Sequence, residues 1–472
     1  MDFEEEATIH NLETIDDPRN EELPQYVIVF WHPLVAYSCI ITWRLYMIMR
    51  VYLFVTSGNF HLLQLGFLFA EWSFAVLSED SQRLTISTGN AANSKPRRPL
   101  LRARGSNLPN VDVLVTCCGE DVEIIINTVK AACMFEYPVQ KFRVVLLDDG
   151  DSTRLRTAIA ELARDHTNVR YVARKKQACY SFSKAENLNH ALLNVQNINW
   201  PAPEFVAVFD ADFIPEPHFL RATLPHVLRN SKVAIVSTLQ HFYNLPAKDP
   251  LFQALDYGTS ILEPMQDRRG LAVCSGTGFL FRREAILQVG GFPACSFNED
   301  HLLTALLRGS SWQIVLAQEP LQFGLVPDSI EGHIGQRQRW SLGVVQMVNI
   351  WWADEVKMNA KHRWQVGKEG FMFAVHLVRC AFAMAIVPVS LLSDQQLVSY
   401  SARWELKTVL ILAWIYHANC WLHEYIIAIS SNFLCSVFPH LNQIWLTIQP
   451  RLLLYLHAAR LWQRSNAAPY PE

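Results

Sequence analysis

EFVAVFDAD, from Glu204 to Asp212, is a short apolar run that ends abruptly in two acids separated by one small residue. A second run, FRVVLLDDG (Phe142 to Gly150), repeats the arrangement. The runs VDVLVT (from Val111), VRYVA (from Val169) and VAIVST (from Val233) share the β-branched composition, and helical stretches separate the first four of the five. Strands alternating with helices predict a mostly parallel sheet covered by helices, an α/β fold over Val111 to about Leu316. In such sheets ligands bind beyond the carboxyl ends of the strands, which is where these acids fall.

Outward from this core the composition changes. Half of the 472 residues are hydrophobic, fourteen are tryptophan, and the net charge is -3. That apolar load predicts lipid-embedded segments, and the charge excludes a generally basic protein that coats nucleic acid. Ten cysteines lie scattered without a CxxC pair or zinc spacing, as reduced thiols facing the cytosol would. Residues 1–25 carry Glu4, Glu5, Glu6, Asp16, Asp17, Glu21 and Glu22 and read as a disordered acidic arm with no signal peptide.

Apolar runs near membrane-spanning length cluster at both ends. Val27 to Trp43 and Phe60 to Leu77 predict a helical hairpin within 26–78, although Arg44, Arg50 and Glu71 blur its edges. The rival is one longer helix in which Arg44 faces other protein segments or snorkels. A basic linker (79–108), with Lys95, Arg97, Arg98, Arg102 and Arg104, belongs in the cytosol by the positive-inside rule. After a 109–335 catalytic domain and 336–370 interfacial helices, a 371–462 membrane region holds candidate spans Phe371 to Leu392, Leu406 to Ile429 and, more weakly, Asn432 to Thr447; 463–472 is a tail.

Each candidate motif has a plain alternative. One carboxylate at a strand end is as often a turn former or helix cap. Two such ends can offer oxygen ligands to a divalent cation that also holds a diphosphate. No GxxxxGK[ST] loop is present, which disfavours a P-loop nucleotidase. Glu299 and Asp300 open a helix-like pattern with Leu302, Leu303, Leu306 and Leu307 as its buried face; alone, they are ordinary helix-start acids. QRQRW offers Gln336 and Arg339 as donors suited to a diphosphate and Trp340 as a flat face for a sugar. Alone, it is the basic flank of an interfacial helix.

Taken in order, the motifs resemble the family 2 glycosyltransferases, in the membrane-embedded branch of cellulose, chitin and hyaluronan synthases. The early Asp, DxD, TED-like triplet and QxxRW correspond to Asp148/Asp149, Asp210 to Asp212, Asn298 to Asp300 and Gln336 to Trp340. KAENLNHAL (from Lys184), GTGFLFRREAI (from Gly276), GGF (from Gly290) and EPLQFGLVPDS (from Glu319) add to the likeness, which covers roughly Val111 to Gln346.

The resemblance implies a GT-A, Rossmann-like domain in the cytosol, flanked by transmembrane helices in a multi-pass protein of the plasma or an internal membrane. It implies an inverting hexosyltransferase with a nucleotide-sugar donor, usually UDP-linked, and Mg2+ or Mn2+ as cofactor. Asp148, Asp149, Glu120 and Lys184 would serve the nucleotide, Asp210 and Asp212 the metal, with Asp210 also near the donor. Asp300 would be the general base beside Glu299, Gln336 and Arg339 would hold the diphosphate, and Trp340 the acceptor sugar. The partners would be the donor, a growing glycan or a lipid or small-molecule acceptor, and membrane lipid, with no nucleic acid.

Three features depart from the family. The triplet is Asn-Glu-Asp where Thr-Glu-Asp is usual. Thr116-Cys117-Cys118-Gly119-Glu120 lacks the usual aromatic partner for uracil. WQVGKEG (Trp364 to Gly370) is only loosely similar to the gating loop of cellulose synthases, and no function is carried onto it. Three functions compete: polysaccharide synthesis with extrusion, transfer of one sugar to a lipid or small hydrophobic acceptor, and a non-catalytic transporter or scaffold. The intact acid set disfavours the last.

Overall fold

The computed structural model describes residues 6–12, 31–58, 61–72, 82–83, 85–87, 98–174, 184–195, 200–246, 253, 258–259, 263–352 and 358–430. The chain divides into two compact units, 1–20 with 97–370, and 21–96 with 371–472.

The first unit is built on a seven-stranded sheet. Its strands are β3 (Val111–Cys117), β4 (Phe142–Asp148), β5 (Val169–Ala173), β6 (Phe205–Asp210), β8 (Val233–Thr238), β10 (Phe279–Arg282) and β11 (Gln313–Ala317), in the spatial order β11-β8-β10-β6-β3-β4-β5. All five strands expected from sequence are present. Two more, β10 and β11, were not expected; β10 runs antiparallel between β6 and β8, while the other neighbours are parallel. A smaller sheet, β7 (Phe213–Pro215), β12 (Gln322–Gly324) and β9 (His241–Phe242), stands at the carboxyl edge of β6.

Successive residues of one strand enter opposite cores. Val113, Val115, Val144 and Leu146 pack on one side with Ile125 and Val129 of the helix Val122–Cys133. Leu114, Val145 and Leu147 pack on the other with Leu188, Leu192, Leu302 and Leu306. Burial on both faces is why these strands read as continuous apolar runs. Helix starts are fixed locally: the Asp121 carboxylate accepts from the Glu123 N–H and the Ser152 hydroxyl from the Leu155 N–H.

Register places the carboxyl ends together. Thr116 of β3 lies opposite both Leu147 of β4 and Asp210 of β6, and Cys117 lies opposite Asp148. Three strand ends thus deliver polar residues to one level.

The N-terminal arm differs from expectation. Within it, β1 (Thr8–Leu12) pairs antiparallel with β2 (Leu100–Arg104), each strand satisfying backbone groups along the other. The basic stretch is likewise folded onto this unit: Arg98 forms a two-bond pair with Asp267 (2.7 and 2.9 Å), and Arg102 one with Glu319 (2.6 and 3.0 Å). Both carboxylates are buried, so these arginines serve as counter-ions within the fold.

In the second unit the helix His32–Thr56 runs past Trp43, where the first limb of a hairpin was expected to end. The separate helix Leu62–Trp72 is shorter. Among the described residues, His32–Thr56 is the one helix long and apolar enough to cross a membrane. Two of the three charges that blurred the expected spans meet here: Arg50 and Glu71 pair at 2.9 Å. Trp43, Tyr46 and Leu53 pack with Val409 of the helix Arg403–Ser430. The division between the units falls inside the helix Ala360–Ser393. The candidate span Asn432 to Thr447 and the tail lie outside the described residues.

At the sheet end away from the aligned acids, Asp112 accepts from Arg143 (2.7 and 3.2 Å), Arg283 (3.0 Å) and the Trp200 indole N–H (2.9 Å). Burial pushes the Arg283 guanidinium below its usual pKa, and Asp112 pulls it back. Asp112→Ala would leave two guanidinium groups buried without their carboxylate, and should cost about 3–5 kcal/mol. The denaturation midpoint of the purified full chain checks this, and a loss under about 1 kcal/mol would contradict it.

Candidate active site

A cleft of about 400 Å³ opens at the carboxyl ends of β3 and β6. Glu120, Asp149, Lys184, Asp210, Asp212, Glu299, Asp300, Gln336, Arg339 and Trp340 all line it. Ten of the eleven residues singled out from sequence therefore share one cavity wall, although the chain separates them widely.

Asp148 is the exception. It is 1% exposed. Its carboxylate accepts from the Gly150 and Ser152 N–H groups and the Tyr171 hydroxyl, each at 2.7 Å. Asp148 therefore braces the loop and does not line the cleft, and Asp149 is the acid of the pair that does. Arg174, directly after β5, grips Asp149 with two hydrogen bonds and Glu186 with a third at 2.8 Å. The sequence reading missed Arg174, although the strand-end rule applied to the acids would have found it.

Asp210 is held by the Thr116 hydroxyl, which donates to Oδ1 at 3.1 Å, while the Asp210 N–H donates to Thr277 Oγ1 at 2.9 Å. Lys184, first residue of the helix Lys184–Asn194, forms an ion pair with Asp210 and donates to the Gly276 carbonyl at 2.5 Å. Burial disfavours its charge, but Asp210, Glu299 and Asp300 outweigh burial and raise its pKa. Crowding shows on the acids too. Burial and then Asp210 push Asp212 up to about 7. Burial likewise pushes Glu299 up to about 7, with Asp300 adding to the rise and Lys184 opposing it.

Glu299 and Asp300 begin the helix Glu299–Gly309. Gly276 faces them with φ +83°, and a Cβ there would lie 2.8 Å from Asp300 Oδ2. Glycine thus leaves the Asp300 carboxylate its room.

Gln336, Arg339 and Trp340 lie at spacing i, i+3, i+4 on the helix Ile330–Gln346, which places them on one face. The Arg337 guanidinium lies over the Trp340 ring, 4.4 Å from its centroid. Trp340 is 40% exposed. No aromatic stands at the Cys117-Cys118 position, but Phe213 and Phe242, from the small sheet, line the same cleft. WQVGKEG lies within the helix Ala360–Ser393, four residues after its start. Trp364 stacks on Trp351 at 5.3 Å, and Gly367 makes room for the Trp351 indole.

Among the described residues, no group of three or more His, Cys, Asp or Glu converges as a metal cage. Asp210 and Asp212 are instead suited to the other common arrangement, where one or two carboxylates share a divalent cation with substrate phosphates.

The chain is similar to known proteins. Residues 109–343 match the model of the family described as glycosyltransferase like family 2. Cellulose synthase 2 of Novacetimonas hansenii is 29% identical over 280 residues, 57% of this chain and 16% of that protein. The UDP-forming cellulose synthase catalytic subunit of Xanthomonas axonopodis pv. citri is 29% identical over 254 residues, 51% of this chain and 32% of that protein. The chain therefore spans well under half the length of either relative. Among solved structures, mannosyltransferase PcManGT from Pyrobaculum calidifontis, in complex with GDP-Man and Mn2+, aligns with TM-score 0.51 and 17% identity, covering 79% of this chain and 99% of that one. At that identity the likeness is one of fold, GT-A. Through residues 109–343 the chain belongs to the glycosyltransferase like family 2, among the relatives of the cellulose synthases.

Proposed function

We propose that the protein is an inverting glycosyltransferase that takes a sugar from a nucleotide-sugar donor, UDP-linked by preference, and extends a polysaccharide at the cytosolic face of a membrane. The observation that carries this reading is the convergence of Asp149, Lys184, Asp210, Asp212, Asp300, Gln336, Arg339 and Trp340 on one cleft.

An acceptor hydroxyl is a weak nucleophile. Asp300 takes its proton as the oxygen attacks the anomeric carbon, a contribution of about 10²- to 10⁴-fold. The bond to the donor diphosphate breaks on the opposite face, so a single displacement inverts the centre and forms no sugar-enzyme bond. Gln336 and Arg339 hold the departing diphosphate, whose developing charge the guanidinium stabilises. Glu120 and Asp149 serve the nucleotide, the latter fixed by Arg174. Asp210 and Asp212 would hold Mg2+ or Mn2+, which supplies Lewis-acid neutralisation of the diphosphate when bound. Trp340 offers one face to the acceptor sugar while Arg337 covers the other.

Strand pairing supports a membrane layout. β1 and β2 lie in one sheet, so the chain between them leaves and returns on the same side and crosses a bilayer an even number of times. With the helix His32–Thr56 suited to spanning, this favours a multi-pass protein whose catalytic unit and N-terminus share the cytosol.

Membranes carrying the full chain, incubated with radiolabelled UDP-sugars and Mn2+, should yield long polymer. A single-sugar lipid would replace the polymerase reading by single transfer, and no product from any donor would sink the enzyme. Asp300→Asn should abolish transfer while nucleotide binding, read by equilibrium dialysis, is retained; an active variant would remove Asp300 from the role of base. Arg337→Ala should raise the acceptor KM about 2- to 30-fold, the worth of one cation–π contact, and leave the donor KM unchanged.

A further inference from the structure

The loop 296–298, which leads into the helix carrying Asp300, and the helix carrying Trp340 are joined by more than proximity. The Asn298 side-chain amide donates to the Trp340 carbonyl at 3.1 Å. The Ser296 hydroxyl donates to the Gly343 carbonyl at 2.9 Å, and the Phe297 N–H donates to Gln346 Oε1 at 2.9 Å. Within the loop, the Asn298 N–H donates to Ser296 Oγ at 3.1 Å. Trp340, Gly343 and Gln346 recur every third residue, so one side of the helix meets three consecutive loop residues.

Asn298 is 8% exposed and sits against the helix at Gly343. A Cβ on residue 343 would land on the Asn298 amide and lie 2.8 Å from its backbone N. The long, planar side chain and the missing Cβ are therefore complementary. A threonine, whose hydroxyl sits directly on Cβ, ends one atom short of where the Asn298 amide donates. The Asn-Glu-Asp triplet, set apart above from Thr-Glu-Asp, thus has a physical role in this chain.

We infer that Asn298 is a positioning residue that, through Gly343, locks the start of the helix bearing the base to the helix bearing the acceptor platform. The inference rests on the roles given above to Asp300 and Trp340. Attack needs the acceptor oxygen close to both the proton acceptor and the anomeric carbon, and a displacement of about 1 Å can cost about 10²-fold in rate. Here the spacing between Asp300 and Trp340 is set by a direct bond between their supports. The donor contacts of Asp149 and Asp210 do not depend on that bond, whereas Arg339, beside Trp340 on the same helix, shares it.

The test uses the full chain in membranes with Asn298→Ala, Gly343→Ala and the double variant. Asn298→Ala should lower kcat for sugar transfer about 10- to 100-fold and raise the acceptor KM more than the donor KM. Gly343→Ala should be at least as impaired. The double variant should be less impaired than the product of the two single effects, because the alanine side chain no longer meets the amide. Amide hydrogen exchange over residues 340–346 should quicken in substrate-free Asn298→Ala while exchange in β3 stays constant, which separates a loosened joint from general unfolding. If wild-type protein transfers sugar and Asn298→Ala keeps kcat and acceptor KM, the joint is overturned while the enzyme reading stands. If wild-type protein transfers nothing, the enzyme reading falls. The joint itself is then decided by exchange, and unchanged protection at 340–346 overturns it.

Discussion

One ammonium group makes the cleft tolerable. Lys184 stands among Asp210, Glu299 and Asp300, which come from the end of a strand and the start of a helix distant in sequence. Burial first, and then the neighbouring carboxylates, hold Asp212 and Glu299 above the usual carboxylate range. The lysine offsets part of the repulsion among the carboxylates from within the fold. A cationic partner arriving with a phosphate-bearing ligand would complete the balance, so the site is arranged to gain most from binding charge of both signs together.

The geometry around this charge cluster is inherited from the sheet. β3, β4 and β6 end level because their registers match, which brings Thr116, Asp148 and Asp210 to one end of the sheet. The buried ion pairs elsewhere have a different task. Asp112 with Arg143 and Arg283, Asp267 with Arg98, and Glu319 with Arg102 fix edges and connections of the domain away from the chemistry. Such pairs are costly to break but add little over apolar packing, which makes them devices for specifying one arrangement.

Much of this was legible in the residues. Apolar runs ending in acids gave the strands and the cleft edge, since burial on both faces leaves an unmistakable composition. The antiparallel β10 was not, because FLFR carries no mark of its direction. Asp148 and Asp149 could not be told apart: adjacent identical side chains point opposite ways, and which one is braced by Tyr171 depends on a strand further along. The arm TIHNL read as disordered because its pattern is short and its partner lies far away in sequence. Arg337 and Asn298 were in view as letters within motifs, but their roles depend on which atom each meets across a gap. The family likeness supplied what local pattern could not, namely that the separated motifs belong to one site.

The pairing of β1 with β2 also imposes an order of events during synthesis. Thr8–Leu12 leaves the ribosome long before Leu100–Arg104, so its backbone groups wait unpaired while the intervening apolar helix is made. At ordinary elongation rates that wait is on the order of ten seconds. A five-residue strand with a histidine and an asparagine in it is poor material for aggregation over such an interval, which a longer apolar strand would not be. The modest, polar character of the first strand therefore suits a segment that must be born first and paired late.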